Sequence, residues 1–357
     1  MNQYVCLASA PWQAVPTRTQ QLMTRLKGAQ VLYFEPPGRR WRKPGRKLRP
    51  GLTVYTLPPV PAVEERYQLL FRGVWRRQAR FIQQQLDRHR FREPVLWCTA
   101  PQAVHLLEHL NFRALVYDCD RDWPGLPLRW ESDLALAADV IFAASQGLAD
   151  HLSPCNDNIA LLPNGVNHPM FVREGCECPA SLRRLEGPVL GYAGTLWQDL
   201  DLTPVLHAAE LLPRCSFVFL GRREENPAAR ALERLPNVRF LSPVPPVEVP
   251  DYLSRFDVCL DLPRRGDPEN DVVPSRLYEY LSTGKPVVAL YRSEQVEPFP
   301  DVVYGAHSPE EYARLCRRAL AETGDWARLR RREHGTQAAW SRRAEDVQRI
   351  LATIGLY

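Results

Sequence analysis

The chain alternates short apolar runs with longer segments in which apolar positions recur every three or four residues. In the N-terminal half the apolar runs are YVCLASA, VLYFEPP, LTVYTLPP, PVLWCTA, ALVYDCD, DVIFAAS and IALLPNG. Runs that are apolar along their whole length, with helical segments between them, are typical of parallel strands covered on both faces. The pattern therefore predicts an α/β domain with a doubly wound parallel sheet.

The alternation pauses after Pro163 and then restarts with PVLGYAG, SFVFLGR, NVRFLSP, DVCLDLP, PVVALY and VVYGA. We predict two Rossmann-like doubly wound domains, residues 1–168 and 188–335, joined by a linker at 169–187. Helical spacing in residues 336–357 predicts a C-terminal helix that packs back toward the first domain. Because ligands of open parallel sheets bind beyond the carboxyl ends of the strands, we expect two such sheets to face a central cleft.

Composition limits the class of protein. The 357 residues are 45% hydrophobic, yet no apolar run reaches the roughly 18 to 20 residues that span a bilayer. The N-terminus lacks a basic segment followed by a long apolar one, so a cytoplasmic location is expected. The nine cysteines are scattered, mostly within strand-like runs, which favours reduced thiols over a disulfide framework.

The net charge of +5 is unevenly distributed. Residues 1–92 contain 18 Lys and Arg against 4 Asp and Glu, whereas the remainder contains 28 against 37. The densest basic stretches are Arg39–Arg49 and Arg66–Arg80, and in the second one Leu, Phe and Trp interleave with Arg. Such a surface suits an anionic membrane or a phosphorylated acceptor; no RNA-binding motif is present, so nucleic acid is not expected. A solvated loop and an ordinary amphipathic helix are the alternative interpretation.

The most specific motif is a helix with defined start and stop signals, within DVVPSRLYEYLSTGKPVV. Pro274 suits the first helical position, and Gly284 followed by Pro286 ends the helix. Free N–H groups of Ser275 and Arg276, together with the Arg276 side chain, favour an anion at the helix start. A nucleotide diphosphate is the natural ligand.

Two carboxylates flank this predicted anion site. Glu279 lies about one turn into the helix, where a carboxylate can accept hydrogen bonds from both hydroxyls of a ribose. Asp271 lies on the preceding loop, where a transferred sugar would lie on the other side of the phosphates. The alternative interpretation of Glu279 and Asp271 is an exposed helix carboxylate and an acidic loop. The order along the chain of an acidic loop, a helix start, a basic residue, an acidic residue and a helix stop favours a donor site instead.

Glycines end two strands of the second domain. Gly191 and Gly194 in PVLGYAGTL and Gly221 in FVFLGRR would let a phosphate or sugar approach the backbone. Arg222 and Arg223 follow Gly221 and are available to a diphosphate. Tight strand-to-helix packing and a solvated charged loop are the alternatives for these two motifs.

The motifs together resemble the retaining glycosyltransferases with the GT-B fold, family-4-like enzymes of the glycosyltransferase family 1 group. In that family an Asp/Glu-x7-Glu loop and helix precedes small residues and Gly-x-Pro-Val-Val, here EYLSTGKPVV. LLPNGVN, GYAGTL, FVFLG, NVRFLSPV and YLSRFDVCLDL follow the family's order, so the resemblance covers about residues 114–290. PSRLYEYL and YDCDRDW are similar to segments of bacterial teichuronic acid and cell-surface polysaccharide glycosyltransferases.

The resemblance implies transfer of a sugar from a nucleotide diphosphate sugar to a glycan or lipid-linked acceptor, with retention of configuration. No metal and no cofactor are expected. Glu279 would bind the donor ribose and Asp271 the donor sugar. Gly194 and Thr195 would lie beside the diphosphate, and Ser242 beside the base.

This sequence departs from the family pattern at two points. The first carboxylate is Asp271, where many relatives have Glu. The Arg and Lys that relatives place shortly after the glycine loop are missing from GTLWQDLDL, so Arg276 and Arg222 are expected to supply the phosphate charge. Pro274 and Ser275 complete the predicted donor-binding residues.

In the first domain a strand ends in three acids, Asp118, Asp120 and Asp122, at the position where relatives often place a His near the reacting sugar. Unless solvated or bound to hydroxyls, three such acids repel one another, which suits a sugar-binding edge. Asp120 is therefore the third predicted catalytic residue, beside Asp271 and Arg276; a surface turn is the alternative. Two other functions stay open: a nucleotide-sugar epimerase on the same fold, and a non-catalytic basic protein that binds membrane or nucleic acid.

Overall fold

The computed structural model describes residues 2–13, 15–38, 44–59, 61, 63, 65–172, 175–265, 271–290, 295–296 and 298–356. The chain divides into two compact units. The first comprises Met1–Pro163 and Ser341–Tyr357, and the second comprises Asn164–Trp340. The predicted linker, residues 169–187, lies within the second unit.

The first unit contains an eight-stranded sheet. Its strands are β1 (Asn2–Leu7), β2 (Ala29–Glu35), β3 (Arg46–Arg49), β4 (Leu52–Thr56), β5 (Val95–Cys98), β6 (Ala114–Cys119), β7 (Val140–Ala143) and β8 (Ile159–Leu161). They lie in the order β3-β4-β2-β1-β5-β6-β7-β8, and every neighbouring pair is parallel except β3 with β4. The helices between them are α1 (Arg18–Met23), α2 (Gln68–Arg88), α3 (Val104–Leu107), α4 (Leu128–Ala137) and α5 (Gln146–Leu152).

The second unit contains a six-stranded sheet. Its helices are α6 (His168–Phe171), α7 (Thr203–Leu211), α8 (Pro227–Leu232), α9 (Val249–Ser254), α10 (Ser275–Thr283), α11 (Pro309–Leu320) and α12 (Trp326–Gln337). Its strands are β9 (Val189–Ala193), β10 (Ser216–Leu220), β11 (Val238–Leu241), β12 (Val258–Asp261), β13 (Val287–Leu290) and β14 (Val303–Ala306). They lie in the order β11-β10-β9-β12-β13-β14, all parallel.

Both sheets follow the doubly wound topology that the apolar runs predict. In each, the chain starts at a central strand, moves outward to one side, and then returns to the other side of that strand, so the order reverses between β1 and β5 and between β9 and β12. The central strands are buried because helices cover both faces. Stacked aromatic pairs fill each core, Trp97 with Phe142 at 5.5 Å and Phe219 with Phe240 at 4.9 Å between ring centroids.

The C-terminal helix, α13 (Trp340–Thr353), falls almost entirely in the first unit. Lys27 Nζ lies 3.0 Å from Glu345 Oε1, and Arg113 Nη2 donates a 2.8 Å hydrogen bond to the Leu356 carbonyl. The chain therefore passes from the first unit to the second after Pro163 and returns after Trp340.

All nine cysteines are free thiols, and most are buried, in agreement with the absence of a disulfide pattern in the sequence. A search of the described residues for a helix long and apolar enough to cross a membrane finds none.

Candidate active site

Two glycines form a floor at the carboxyl edge of the second sheet. Ala193 pairs with Leu220, so β9 and β10 end side by side and are followed by Gly194 and Gly221. Both glycines have positive φ, +156° and +146°, and a Cβ at Gly221 would collide with the Gly194 carbonyl oxygen. The absence of a side chain at Gly221 allows the two backbones to lie this close, and the positive φ at both positions favours glycine.

Gly191 has a different role from the one predicted. It lies in the middle of β9, and a Cβ there would overlap the Phe256 ring. The missing side chain makes room for packing inside the domain and not for a ligand.

The predicted helix forms, with one difference at its start. Pro274 is the N-terminal cap in extended conformation, and α10 begins one residue later than predicted, at Ser275. The Pro274 carbonyl accepts the first helical hydrogen bond, from Leu277 N–H at 3.0 Å, so Pro274 lies just outside the helix. Gly284, with φ +78°, ends the helix as predicted.

Arg276 is held in place by two residues that the sequence analysis did not identify. Its Nε and Nη2 donate to Asp261 Oδ1 at 3.1 and 2.8 Å, and its Nη1 donates to the Tyr192 hydroxyl at 3.0 Å. Burial alone would lower the pKa of Arg276, but Tyr192 and the Asp261 carboxylate raise it above its ordinary value. The guanidinium is therefore permanently charged and fixed beneath Gly194, whose Cβ would lie 3.3 Å from Nη1.

The pairing with Asp261 corrects the electrostatic expectation for Arg276. The Arg276 side chain is 20% exposed and that of Asp261 only 7%, so much of the positive charge is balanced inside the protein. The charge that remains for a phosphate comes from the unpaired guanidinium N–H groups and from the N–H groups at the start of α10. Asp261 and Tyr192 could have been found from the sequence, since both lie at the carboxyl ends of strands.

Glu279 is the least satisfied ionisable group of this edge. It is half-buried, and no described residue forms a hydrogen bond or an ion pair with its carboxylate. Burial raises the pKa of Glu279 to about 7, although nearby Arg276 opposes the shift. A carboxylate shielded from water and without a partner is poised to accept hydrogen bonds from a ligand.

Asp271 lies four residues before α10 and is half-buried. The two residues after it are buried, and the Val273 carbonyl accepts a 3.0 Å hydrogen bond from the Asn164 side-chain amide. Asn164, which the sequence analysis did not single out, thus anchors the segment between Asp271 and the helix. Residues 266–270, just before Asp271, lie outside the described residues.

Three further predicted residues follow neighbouring strands at the same edge. Thr195 accepts a 3.0 Å hydrogen bond from the Tyr192 hydroxyl through its backbone carbonyl, and Ser242 is exposed directly after β11. Arg222 is exposed but not free, because it pairs with Glu224 at 3.2 Å and stacks over Trp197 at 5.6 Å. Its charge is thus partly neutralised.

A second arginine lies against Trp197 and was missed. Arg264 stacks over the Trp197 ring at 5.1 Å and forms a 2.8 Å ion pair with Asp199. Arg223, predicted with Arg222 to face a diphosphate, instead pairs with Glu233 and stacks over Phe240. The charges of these exposed arginines are thus balanced by neighbouring carboxylates at the protein surface.

In the first unit the three acids after β6 do not form a single acidic edge. Asp118 is buried at 1% exposure and forms an ion pair with Arg18 Nη2 at 2.9 Å, so it belongs to the interior of the unit. Burial raises the pKa of Asp118 even though Arg18 lies beside it. Asp120 pairs with its neighbour Arg121 at 2.9 Å, and Asp122 is exposed. The Asp118 charge is thus removed from the predicted sugar-binding edge, and the catalytic role of Asp120 stays a prediction.

Comparisons with known proteins identify the class of protein that this chain resembles. Residues 203–349 match the model of the family described as "Glycosyl transferase-like". TuaH of Bacillus subtilis (strain 168), assigned as a teichuronic acid biosynthesis glycosyltransferase, is 28% identical over 258 residues. That alignment spans 64% of this chain and 64% of TuaH.

Solved structures match over nearly the whole chain. Sucrose-phosphate synthase from Thermosynechococcus elongatus superposes with a TM-score of 0.75 at 15% identity, covering 99% of both chains. Anabaena HepE, solved with UDP and glucose, superposes with a TM-score of 0.71 at 14% identity, also over 99% of both chains. These matches confirm the predicted fold class, two parallel-sheet α/β domains of the GT-B type, and the predicted resemblance.

Proposed function

We propose that this chain, which has the GT-B fold and matches the glycosyl transferase-like family over residues 203–349, is a glycosyltransferase that uses a nucleotide diphosphate sugar. Its acceptor is a glycan or a lipid-linked sugar of cell-surface polysaccharide synthesis. TuaH supports this class of product, because it is assigned to teichuronic acid biosynthesis. The resemblance to family-4-type enzymes supports retention of configuration.

The single observation that carries the proposal is Glu279, a half-buried carboxylate without a described partner whose pKa is raised to about 7. Arg276 lies one helical turn before it and is fixed by Asp261 and Tyr192. A ribose would offer two hydroxyl donors to Glu279, and its attached diphosphate would meet the N–H groups of Ser275 and Arg276. The two glycines give the phosphates access to the backbone.

The proposed reaction requires little chemistry from side chains. The bond between the donor's anomeric carbon and the diphosphate oxygen breaks, and the acceptor hydroxyl bonds to that carbon on the same face. The acceptor proton passes to the departing phosphate, and the nucleoside diphosphate is released. Arg276 and the start of α10 stabilise the charge that develops on the leaving group, and Asp271 orients the sugar.

We further propose that the first unit binds an anionic membrane surface peripherally. The N-terminal half of α2 exposes Leu69 and Leu70, at 88% and 66%, beside Arg72, Arg76 and Arg77. Apolar side chains beside arginines suit the interface of an anionic bilayer. The basic β3 strand contributes Arg46–Arg49, whereas residues 39–43 lie outside the described residues.

Vesicle flotation tests the membrane proposal. The protein should float with anionic vesicles at low salt and be released at about 0.5 M salt, because charge attraction is screened within a few Å at high ionic strength. Absence of flotation with anionic vesicles at low salt would overturn it.

The test of the enzyme is product formation from nucleotide sugars with and without added acceptor lipids or glycans. Transfer that requires the acceptor supports the proposal, whereas isomerised nucleotide sugar without acceptor would identify an epimerase. Glu279→Ala should abolish transfer, and Glu210→Ala should not, because Glu210 is an exposed helical glutamate on α7. Wild-type turnover by Glu279→Ala would remove Glu279 from the site.

A further inference from the structure

An apolar pocket of about 260 Å³ opens at the carboxyl edge of the first sheet. Its lining comes from the segments after five parallel strands and from two helices: Ser9 after β1, Pro36 after β2, Leu57 after β4, Ala100 after β5, Trp123 after β6, Trp75 of α2 and Leu106 of α3. The pocket therefore spans the reversal of strand order between β1 and β5, the place where doubly wound sheets bind ligands.

The chemistry of this lining differs from that of a sugar site. Prolines, leucines, alanines and two tryptophans make up most of it, and none of the described residues that line it is charged. A sugar carries several hydroxyls that each need a hydrogen-bond partner when they leave water, whereas only Ser9, Gln78 and Gln102 offer polar side chains among the described lining residues. An apolar wall of this kind favours a hydrocarbon group.

Positive charge lies within one helical turn of the pocket. Trp75 projects from α2, and Arg72, Arg76 and Arg77 are exposed on the same helix within three residues of it. No described acidic side chain forms an ion pair with these three arginines. Arg72 precedes Trp75 by three residues, so the two are neighbours on the helix surface, and an anionic group attached to a hydrocarbon in the pocket would reach the Arg72 charge.

We propose that this pocket binds the first segment of the hydrocarbon chain of an acceptor lipid, with the lipid's phosphate held by Arg72 of α2. The inference deepens the proposed function and rests on it, since it selects a lipid phosphate from the broader set of glycan and lipid-linked acceptors. The sugar to be extended would then lie beyond the phosphate, and Asp120, on the loop that leads to Trp123, would lie on the acceptor side of the site.

Alkyl phosphates of 4, 8 and 12 carbons are suitable probes, kept below their micelle concentrations and added without nucleotide sugar. A change in tryptophan emission reports binding, because Trp75 and Trp123 are in the wall of the pocket and would lose contact with water. Affinity should rise by about fourfold per methylene while the pocket fills and then level off. Affinity that does not depend on chain length would overturn the proposal.

Two sets of variants distinguish the contribution of the pocket to binding from the contribution of the surface charge. Ala8→Leu and Ala100→Leu reduce the pocket volume and should weaken dodecyl phosphate binding at least tenfold, whereas Ala137→Leu, exposed on α4, should not. Arg72→Gln should weaken dodecyl phosphate binding but leave dodecyl maltoside binding unchanged. Arg90→Gln removes the same charge beyond the end of α2 and should have no effect.

Two outcomes would contradict the proposal. If both pocket-reducing variants fold, by circular dichroism, and bind dodecyl phosphate as the wild type does, the pocket is not the site. If binding requires vesicles and depends only on the arginines, the helix contacts a bilayer surface and not an individual lipid. Nucleoside diphosphate binding, measured separately, tests the donor site of the second unit. The donor-site proposal and the lipid-pocket proposal can therefore fail independently of each other.

Discussion

Each unit holds an arginine from the first turn of a helix against an aspartate near the end of a strand. Arg18 of α1 pairs with Asp118 of β6, and Arg276 of α10 pairs with Asp261 of β12. The first pair is sealed, with side-chain exposures of 4% and 1%, whereas Arg276 is 20% exposed beside the strand-end Gly194. The same pair thus supports the interior of one unit and the candidate donor site of the other.

The comparison shows that residue type does not by itself define a site. What distinguishes the second unit is a guanidinium open on one side, a glycine backbone without side chains next to it, and a carboxylate without a described partner, Glu279, in the same helix. The corresponding edge of the first unit is lined by tryptophan and proline and suits an apolar ligand. Two sheets of the same topology therefore present different chemistry at equivalent edges.

Loss of the sealed pair should have the largest effect on stability. Arg18→Ala leaves Asp118 buried without its cation, and we expect unfolding free energy to fall by about 3–5 kcal/mol in urea titrations. Nucleoside diphosphates should still stabilise whatever fraction folds, because the pair lies in the other unit. A loss below about 1 kcal/mol would show that Asp118 is readily neutralised by protonation.

Loss of the partly exposed Arg276–Asp261 pair should affect both stability and nucleotide binding. We expect Arg276→Ala to cost about 2–4 kcal/mol, less than Arg18→Ala because water can reach the guanidinium, and to weaken nucleotide binding at least tenfold. The control is Arg222→Ala, whose exposed pair with Glu224 should contribute less than about 1 kcal/mol. Nucleotide affinity unchanged by Arg276→Ala would exclude it from the phosphate site.

Substitution of Gly221 should have a smaller effect on stability, and this effect can be separated from backbone strain alone. Gly221→Ala should destabilise the protein by about 2–3 kcal/mol, since the methyl group meets the Gly194 carbonyl and φ is +146°. At Gly324, φ is +100° but no atom lies within 4 Å, so Gly324→Ala measures backbone strain alone. Equal losses for the two variants, in thermal unfolding, would show that the close approach contributes nothing.

The titration of Glu279 should give the smallest effect on stability. Its folded pKa of about 7 exceeds the ordinary value of 4.5, so its contribution is present below about pH 4.5 and is lost as the pH rises through 7. Relative to Glu279→Gln, the wild type should lose about 1–3 kcal/mol over that range. Parallel curves for the two proteins would place the pKa at its ordinary value.

The same titration predicts pH-dependent binding. If ribose hydroxyls donate to the ionised carboxylate, nucleotide affinity should increase by about tenfold between pH 6 and pH 8, as the ionised fraction increases. Glu279→Gln should show only the dependence that comes from the nucleotide's own phosphates. Calorimetry with both proteins measures the difference.

Local features of the fold were predictable from the sequence, and long-range pairings were not. Apolar runs located every described strand except the basic β3, and Gly284 located the end of α10 correctly. The partner of Asp118 lies 100 residues away, and Tyr192 meets Arg276 only because β9 lies next to β12. Such contacts depend on the order of strands in the sheet, and the periodicity of apolar residues along the sequence does not reveal that order.

The role of each glycine and the apolar pocket were also beyond local patterns. Gly191 and Gly194 belong to one motif, yet Phe256 occupies the space beside the first and Arg276 lies beneath the second. The pocket of the first unit combines residues from five separate loops, α2 and α3, which together form no motif in the sequence. The roles of these glycines and of the pocket residues depend on tertiary packing and not on the spacing of residues along the sequence.

The most direct test of the account is the binding of nucleoside diphosphates to the wild type, Glu279→Ala and Glu210→Ala, measured by thermal shift. A ligand that binds the folded state raises the melting temperature by mass action. We predict that at least one nucleoside diphosphate stabilises the wild type and Glu210→Ala equally, and that this stabilisation is lost in Glu279→Ala. Equal stabilisation of all three proteins, or of none by any nucleotide, would contradict a donor site at the start of α10.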